Sequence, residues 1–226
     1  MALDNIKIKQ LQLLLNEFEL ISKTVLTQYQ IALKMIENNS IESLYEEAEA
    51  NETILDRLDV KIREEIVFTI LQFNPKATDL RKIITYQDIT NNLERVGDML
   101  LNIIHYTSEI DLENPTFAEI KKHLLKMFLS VGEMLRNAIF SFSNEDSVVA
   151  YQTISADQKV DEEYRKIRGV LQNIFSNKHL NKNEIECIMI INAISHNLER
   201  IGDSATNIAE SSIYLAEGKD IRHGNY

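Results

Sequence analysis

The chain has 226 residues, enough to bury a substantial core as one large domain or two small ones. Acidic residues outnumber basic ones 35 to 24, a net charge of -11 that argues against nucleic acid, whose backbone demands a basic face. One cysteine excludes an internal disulfide or a multi-cysteine metal site, and 6 Gly with 2 Pro leave few turn formers, so the elements must be long and helical.

The segment from Met1 to Leu15 mixes apolar residues with Lys, Asp and Gln and has no cleavable signal pattern. No apolar run approaches the roughly 18 residues that span a bilayer. The expectation is a cytoplasmic protein without direct membrane insertion. A first helix is predicted from Leu11, Leu14, Leu15, Phe18, Ile21, Val25 and Leu26, which keep a helical period, and it continues to about Asn38. Asn38-Asn39-Ser40 reads as a turn. A second helix runs from about Ile41 to Leu71 and stops at Asn74-Pro75. The third runs from about Ala77 to Ile110, with Asp79 placed to complement the dipole of its first turn.

Asn114-Pro115 opens the second half as an N-cap followed by an N1 proline. Breaks at Ser143-Asn144 and Asn181 divide that half into three further helices. Asn181 with Glu184 has the form of a capping box, and Gly218 suits the end of the last helix. Cys187 lies in the apolar run Cys187-Ile188-Met189-Ile190-Ile191 and reads as an inert core thiol.

The halves are copies of each other. Asn92-Leu93-Glu94-Arg95-Val96-Gly97-Asp98 recurs 105 residues later as Asn197-Leu198-Glu199-Arg200-Ile201-Gly202-Asp203. The same shift, without a gap, carries Asp56 onto Asp161 and Lys61-Ile62-Arg63 onto Lys166-Ile167-Arg168. The expected fold is all-α, with two tandem three-helix bundles, residues 1–112 and 113–226, as its natural architecture and short loops giving antiparallel neighbours; a single long six-helix array would show the same pattern. At about 1.5 Å per residue, helices of about 30 residues are roughly 45 Å long.

The duplication keeps one piece of chemistry twice, a Glu-x-x-x-Asp. Positions i and i+4 share a helix face, so Glu94 stands beside Asp98 and Glu199 beside Asp203. The preceding helix carries Glu52 with Asp56, and in register Asp157 with Asp161. Antiparallel packing then gathers four carboxylates per repeat, a donor set for Mg, Mn, Ca or Fe rather than for zinc, which recruits more nitrogen or sulfur. An acidic pair alone reads as solvated surface; the in-register repetition across two helices is what raises it to a candidate site. Leu93, Val96, Gly97, Leu100, Leu101 and Ile104 form the buried arc, with Glu94 at its edge and Asp98 just outside. Gly97 and Gly202 cost helix stability, about 1 kcal/mol each, and so imply close packing. Arg95 and Arg200 point away from the carboxylates. His196 shares the Glu199 face, but Asn91 replaces it in the first repeat, so a surface role is expected.

Taken together, Pro75-x-x-Thr78-Asp79-Leu80-Arg81, Asn92 to Asp98, the run from Leu198 to Glu210, and Tyr214-Leu215-Ala216-Glu217-Gly218-Lys219-Asp220 resemble the PhoU family over essentially the whole chain. The resemblance implies a non-enzymatic regulator of phosphate uptake. Its partners would be the ATPase subunit of the phosphate ABC transporter, whose activity it damps, and a membrane sensor histidine kinase. It also implies iron or zinc clusters in some members. By motif match the ligands are Glu94, Asp98, Glu199 and Asp203, helped first by Asp56 and Asp161 and then by Glu52 and Asp157. The first repeat departs from the family pattern, since Met99, Leu100 and Leu101 follow Asp98 where small residues are usual, so the second-repeat site is favoured. A homo-oligomer is compatible with the sequence. The alternatives are an adaptor for a sodium-coupled phosphate carrier and a metal-dependent helical-bundle enzyme. The last lacks the Glu-x-x-His motifs that its class uses in the site helices.

Overall fold

The structure, a computed structural model, describes residues 2–38, 42–177 and 179–222, without the side chains of residues 2–9, 11, 38, 42 and 177. Six α-helices and one short 3-10 turn make up its regular elements, and no strand occurs among the described residues. In chain order they are α1 (Ala2–Asn38), α2 (Glu42–Phe73), α3 (Thr78–Ser108), the 3-10 turn Pro115–Phe117, α4 (Ala118–Ser143), α5 (Ser147–Asn177) and α6 (Lys182–Glu217). The turn expected at Asn38-Asn39-Ser40 lies, beyond Asn38, outside the described residues, as does the Leu11 side chain.

Local chemistry accounts for the ends. After Phe73 the chain takes positive φ at Asn74 and again at Ala77, around Pro75, so α2 cannot run on into α3. The Asn114 side chain accepts from the Thr116 N–H, but it caps the 3-10 turn, and α4 itself starts only at Ala118. At the start of α6, Asn181 Oδ1 accepts from the Glu184 N–H and Glu184 Oε2 from the Asn181 N–H, both at 3.0 Å. Gly218 closes that helix at φ 73, a left-handed conformation that a side chain disfavours.

Within each half the successive helices are antiparallel. Lys61 of α2 reaches back to Glu17 of α1, His105 of α3 to Glu49 of α2, and Glu163 of α5 to His123 of α4. Between halves, α3 packs along α6 and α1 touches α4, while α2 and α5 contact no helix of the opposite half among the described residues. The α3/α6 pair is antiparallel as well. Asn207 donates to Asn92 at 3.4 Å, and the Arg81 guanidinium lies 5.6 Å over the Tyr214 ring. A pseudo-two-fold axis, passing between α3 and α6 and between α1 and α4, therefore relates the repeats.

The core crosses the seam. Phe18 of α1 meets Tyr86 of α3 and Phe142 of α4 edge-on, at centroid distances of 5.7 and 4.7 Å. Tyr29 donates its hydroxyl to the Phe128 carbonyl at 2.9 Å and lies against Gly132. Cys187 sits at the rim of this core, packed against it but partly exposed rather than enclosed.

Both repeated glycines sit where helices approach closely. A Cβ on Gly97 would stand 2.3 Å from Leu55 Cδ1, whereas one on Gly202 would meet Val160 at 3.4 Å and Asp157 at 3.3 Å. Gly97→Ala is therefore expected to destabilise by about 1–2 kcal/mol, overpacking outweighing the gain in helix propensity. Gly202→Ala should fall within about 1 kcal/mol of neutral. Denaturant unfolding of the two variants makes the comparison, and equal losses would rule out the asymmetry.

Candidate functional site

Antiparallel packing of α2 on α3 places Glu52 across from Gly97, its Oε2 3.5 Å from where a Cβ would be. The second repeat does the same, with Asp157 Oδ1 3.3 Å from the equivalent point on Gly202. The missing side chains make room for carboxylates between the helices. Glu52 and Asp157 are thus the innermost members of their clusters, with Glu94 and Glu199 half-buried and Asp56, Asp98, Asp161 and Asp203 exposed. On the second helix of each repeat, the residue facing the glycine sits deeper than the one a turn further on.

Electrostatics record how close the groups are. Burial pushes the Glu52 carboxyl up to about 8, and the neighbouring Asp98, then Asp56 and Glu94, add to the rise. Glu94 is raised by burial, then by Asp98, Asp59 and Asp56, with Arg63 opposing. Asp157 is raised by burial to about 6, with Asp203, Asp161 and Glu199 contributing. Burial also raises Glu199 and Asp203, and there His196 and Arg200 oppose it. His196 Nδ1 lies 3.5 Å from Glu199 Oε2, and its ring stacks on Tyr164. The second cluster is thus partly neutralised from within, whereas the first carries more unrelieved repulsion.

Two oxygens of the first cluster are orphans. Glu52 Oε2 and Asp59 Oδ1 are buried and have no hydrogen-bond partner. Asp59 escaped the sequence reading because Tyr164 occupies its place in the second repeat, and a search by duplication discards unmatched residues. Its other oxygen holds Arg63 at 2.7 Å.

Among the described residues, no group of three or more His, Cys, Asp or Glu side chains stands in metal-holding geometry. The chemistry of the donors nonetheless fits a cation: four carboxylates per cluster, one of them with an orphaned buried oxygen, gain from any positive charge placed among them. The sign of the pH effect follows. Glu52 has an ordinary value of 4.5 and a folded value of about 8, so the folded state binds the extra proton between them. Stability of chelator-treated protein should therefore fall as pH rises through that window. Glu52→Gln is expected to flatten the profile and to stabilise at pH 8 by about 1 kcal/mol, less than the full shift converts to because solvent screens the open side. Thermal melts of both proteins from pH 5 to 8 are the check, and a parallel pair of profiles would exclude Glu52 as the titrating group.

The PhoU domain model matches residues 18–107 and again 124–212. The chain is 31% identical over 192 residues to "Phosphate-specific transport system accessory protein PhoU homolog 1" of Thermotoga maritima, covering 82% of this chain and 81% of that protein. It is 30% identical over 194 residues to the Aquifex aeolicus "Phosphate-specific transport system accessory protein PhoU homolog", with coverages of 85% and 84%. The crystal structure of PhoU from Pseudomonas aeruginosa superposes with a TM-score of 0.82 at 26% identity, covering 93% of this chain and 99% of that one. That of the phosphate transport system regulatory protein PhoU from Streptococcus pneumoniae, at 19% identity and a TM-score of 0.78, shares the fold over 96% of this chain and 98% of its own.

Proposed function

The chain belongs to the PhoU family, and on that premise we propose that it is a regulatory adaptor of phosphate uptake and intracellular phosphate homeostasis rather than an enzyme. The observation that carries this reading is that both repeats match the family domain and that relatives matched over most of their length bear the name of phosphate-transport accessory proteins. On this reading the protein damps a phosphate ABC transporter through its ATPase subunit and relays transporter state to a sensor histidine kinase. No helix among the described residues is long and apolar enough to cross a membrane, which is consistent with docking from the cytoplasm onto a membrane-bound partner.

The carboxylate clusters serve this role as cation sites. Glu52, Asp56, Glu94 and Asp98 would hold one metal centre, and Asp157, Asp161, Glu199 and Asp203 the other, with iron or zinc the metals that the family resemblance favours. A bound cation would relieve the mutual repulsion and tie α2 to α3, and α5 to α6.

Crosslinking in phosphate-replete cells tests the adaptor role. The chain is expected to be captured with the transporter ATPase or the sensor kinase, and its deletion to leave phosphate uptake active despite ample phosphate. Repeated failure of both, with a sodium-coupled carrier captured instead, would transfer the adaptor to that carrier.

A further inference from the structure

Each carboxylate pair is the inner end of a longer surface stripe. At about 100° per residue, Leu80, Ile84, Gln87, Asn91, Glu94 and Asp98 lie along one face of α3. In register on α6 stand Ile185, Met189, Asn192, His196, Glu199 and Asp203. Both stripes pass from apolar through neutral polar to acidic.

The apolar ends are open to solvent. Leu80, Ile84, Ile185 and Met189 are all exposed, Met189 by 67%. On the second repeat Phe175 of α5 widens the patch beside Met189. On α5/α6 the patch forms a shallow groove lined by Leu171, Gln172, Phe175, Ile188, Met189 and Asn192. A single exposed apolar residue needs no explanation. Here the same two helix positions are exposed and apolar in both copies of a duplicated chain, and their exposure does nothing for the fold.

Symmetry sets the arrangement. The pseudo-two-fold passes through both contacting pairs, α3/α6 and α1/α4, so the stripes open on one side, opposite α1 and α4. Because α3 and α6 are antiparallel, the acidic ends meet near the middle and the apolar ends point outward. Helix rise puts Ile84 about 15 Å from Glu94, and the two apolar patches about 40 Å apart. Four carboxylates outweigh one divalent cation, so each cluster keeps negative charge even when metal is bound.

We propose that this face docks a homodimeric protein, each subunit laying one helix along one stripe. That helix carries apolar side chains at one end and Lys or Arg about three turns away, matching the patch and the carboxylates in turn. The inference rests on the adaptor reading and adds to it the partner's symmetry, the stoichiometry of one chain to two partner subunits, and the anchoring residues.

The test uses the full chain with two purified probes, the cytoplasmic portion of the phosphate sensor kinase and the transporter ATPase subunit. Sedimentation should give one chain per two probe subunits for at least one of them. Ile84→Gln or Met189→Gln should each weaken binding about tenfold and the pair about a hundredfold, through loss of one or both anchors. Leu129→Gln on α4 should change nothing, and circular dichroism should be the same for all. A one-to-one complex, a loss confined to one repeat, or affinity indifferent to both substitutions would overturn the inference while leaving the adaptor reading intact. No binding to either probe would overturn both.

Discussion

Tag-free protein is expected to carry stoichiometric metal, and the Glu199→Gln/Asp203→Asn variant to lose about half of it, the share held by the second repeat. Glu94→Gln/Asp98→Asn should remove the other half. These substitutions keep size and hydrogen-bonding capacity while deleting charge, so lost metal reports ligation rather than damage. Without metal, the variants should melt no lower than the native chain, because like charges at i and i+4 destabilise a helix by a few tenths of a kcal/mol. Elemental analysis with a thermal melt is the measurement. The first cluster has the stronger mutual repulsion and the orphaned Glu52 oxygen, so its metal should be the harder to remove by chelation. Native protein that is folded, metal-free and not refilled by iron, manganese or zinc would end the cation reading. The acidic face would then serve a basic partner alone.

Phe18→Ala should produce the largest loss of stability, about 3–5 kcal/mol, in the range for a fully buried aromatic truncated to alanine. Phe18 is 1% exposed and touches Tyr86 and Phe142, which themselves meet edge-on at 5.1 Å. Those three rings come from α1, α3 and α4, so the cavity would open at the seam between the repeats rather than inside one bundle. Two edge-on aromatic contacts are lost as well, each worth about 0.5–1.5 kcal/mol beyond area burial. For a chain of this size the melting temperature should fall by roughly 10 °C. Leu20→Ala, two residues along the same helix but 48% exposed, should cost less than about 1 kcal/mol. A Phe18→Ala loss as small as that of Leu20→Ala would mean that the seam repacks freely.

Helix ends and faces were legible because they depend on near neighbours in the chain. Pro75 and Pro115 punctuate the helices as their fixed φ and missing N–H require, and Asn181 with Glu184 caps α6 within four residues. The buried arc of α3 follows from spacing alone: Leu93, Val96, Leu100 and Ile104 are all enclosed. Pairing within each cluster was legible too, since duplication in register marks positions under a common constraint.

Depth within the clusters was not legible. Glu52 and Asp157 lie innermost because they face the glycines of the next helix, and only the rotation of α2 against α3 sets that contact. Asp59 joins the first cluster without a counterpart, so the repeat gave no sign of it. Leu80 and Ile84 look like core residues in a helical period and face solvent because no helix covers that side.

By itself, then, the sequence determined the six-helix duplication, the breaks at Pro75 and Ser143-Asn144, the caps of α6, and which carboxylates share a face, since these rest on interactions a turn or less apart. Only the tertiary structure decided the antiparallel join of α3 to α6, the depth of each carboxylate, and the single face on which both stripes open. Those depend on which helix lies against which, and packing between segments a hundred residues apart settles that.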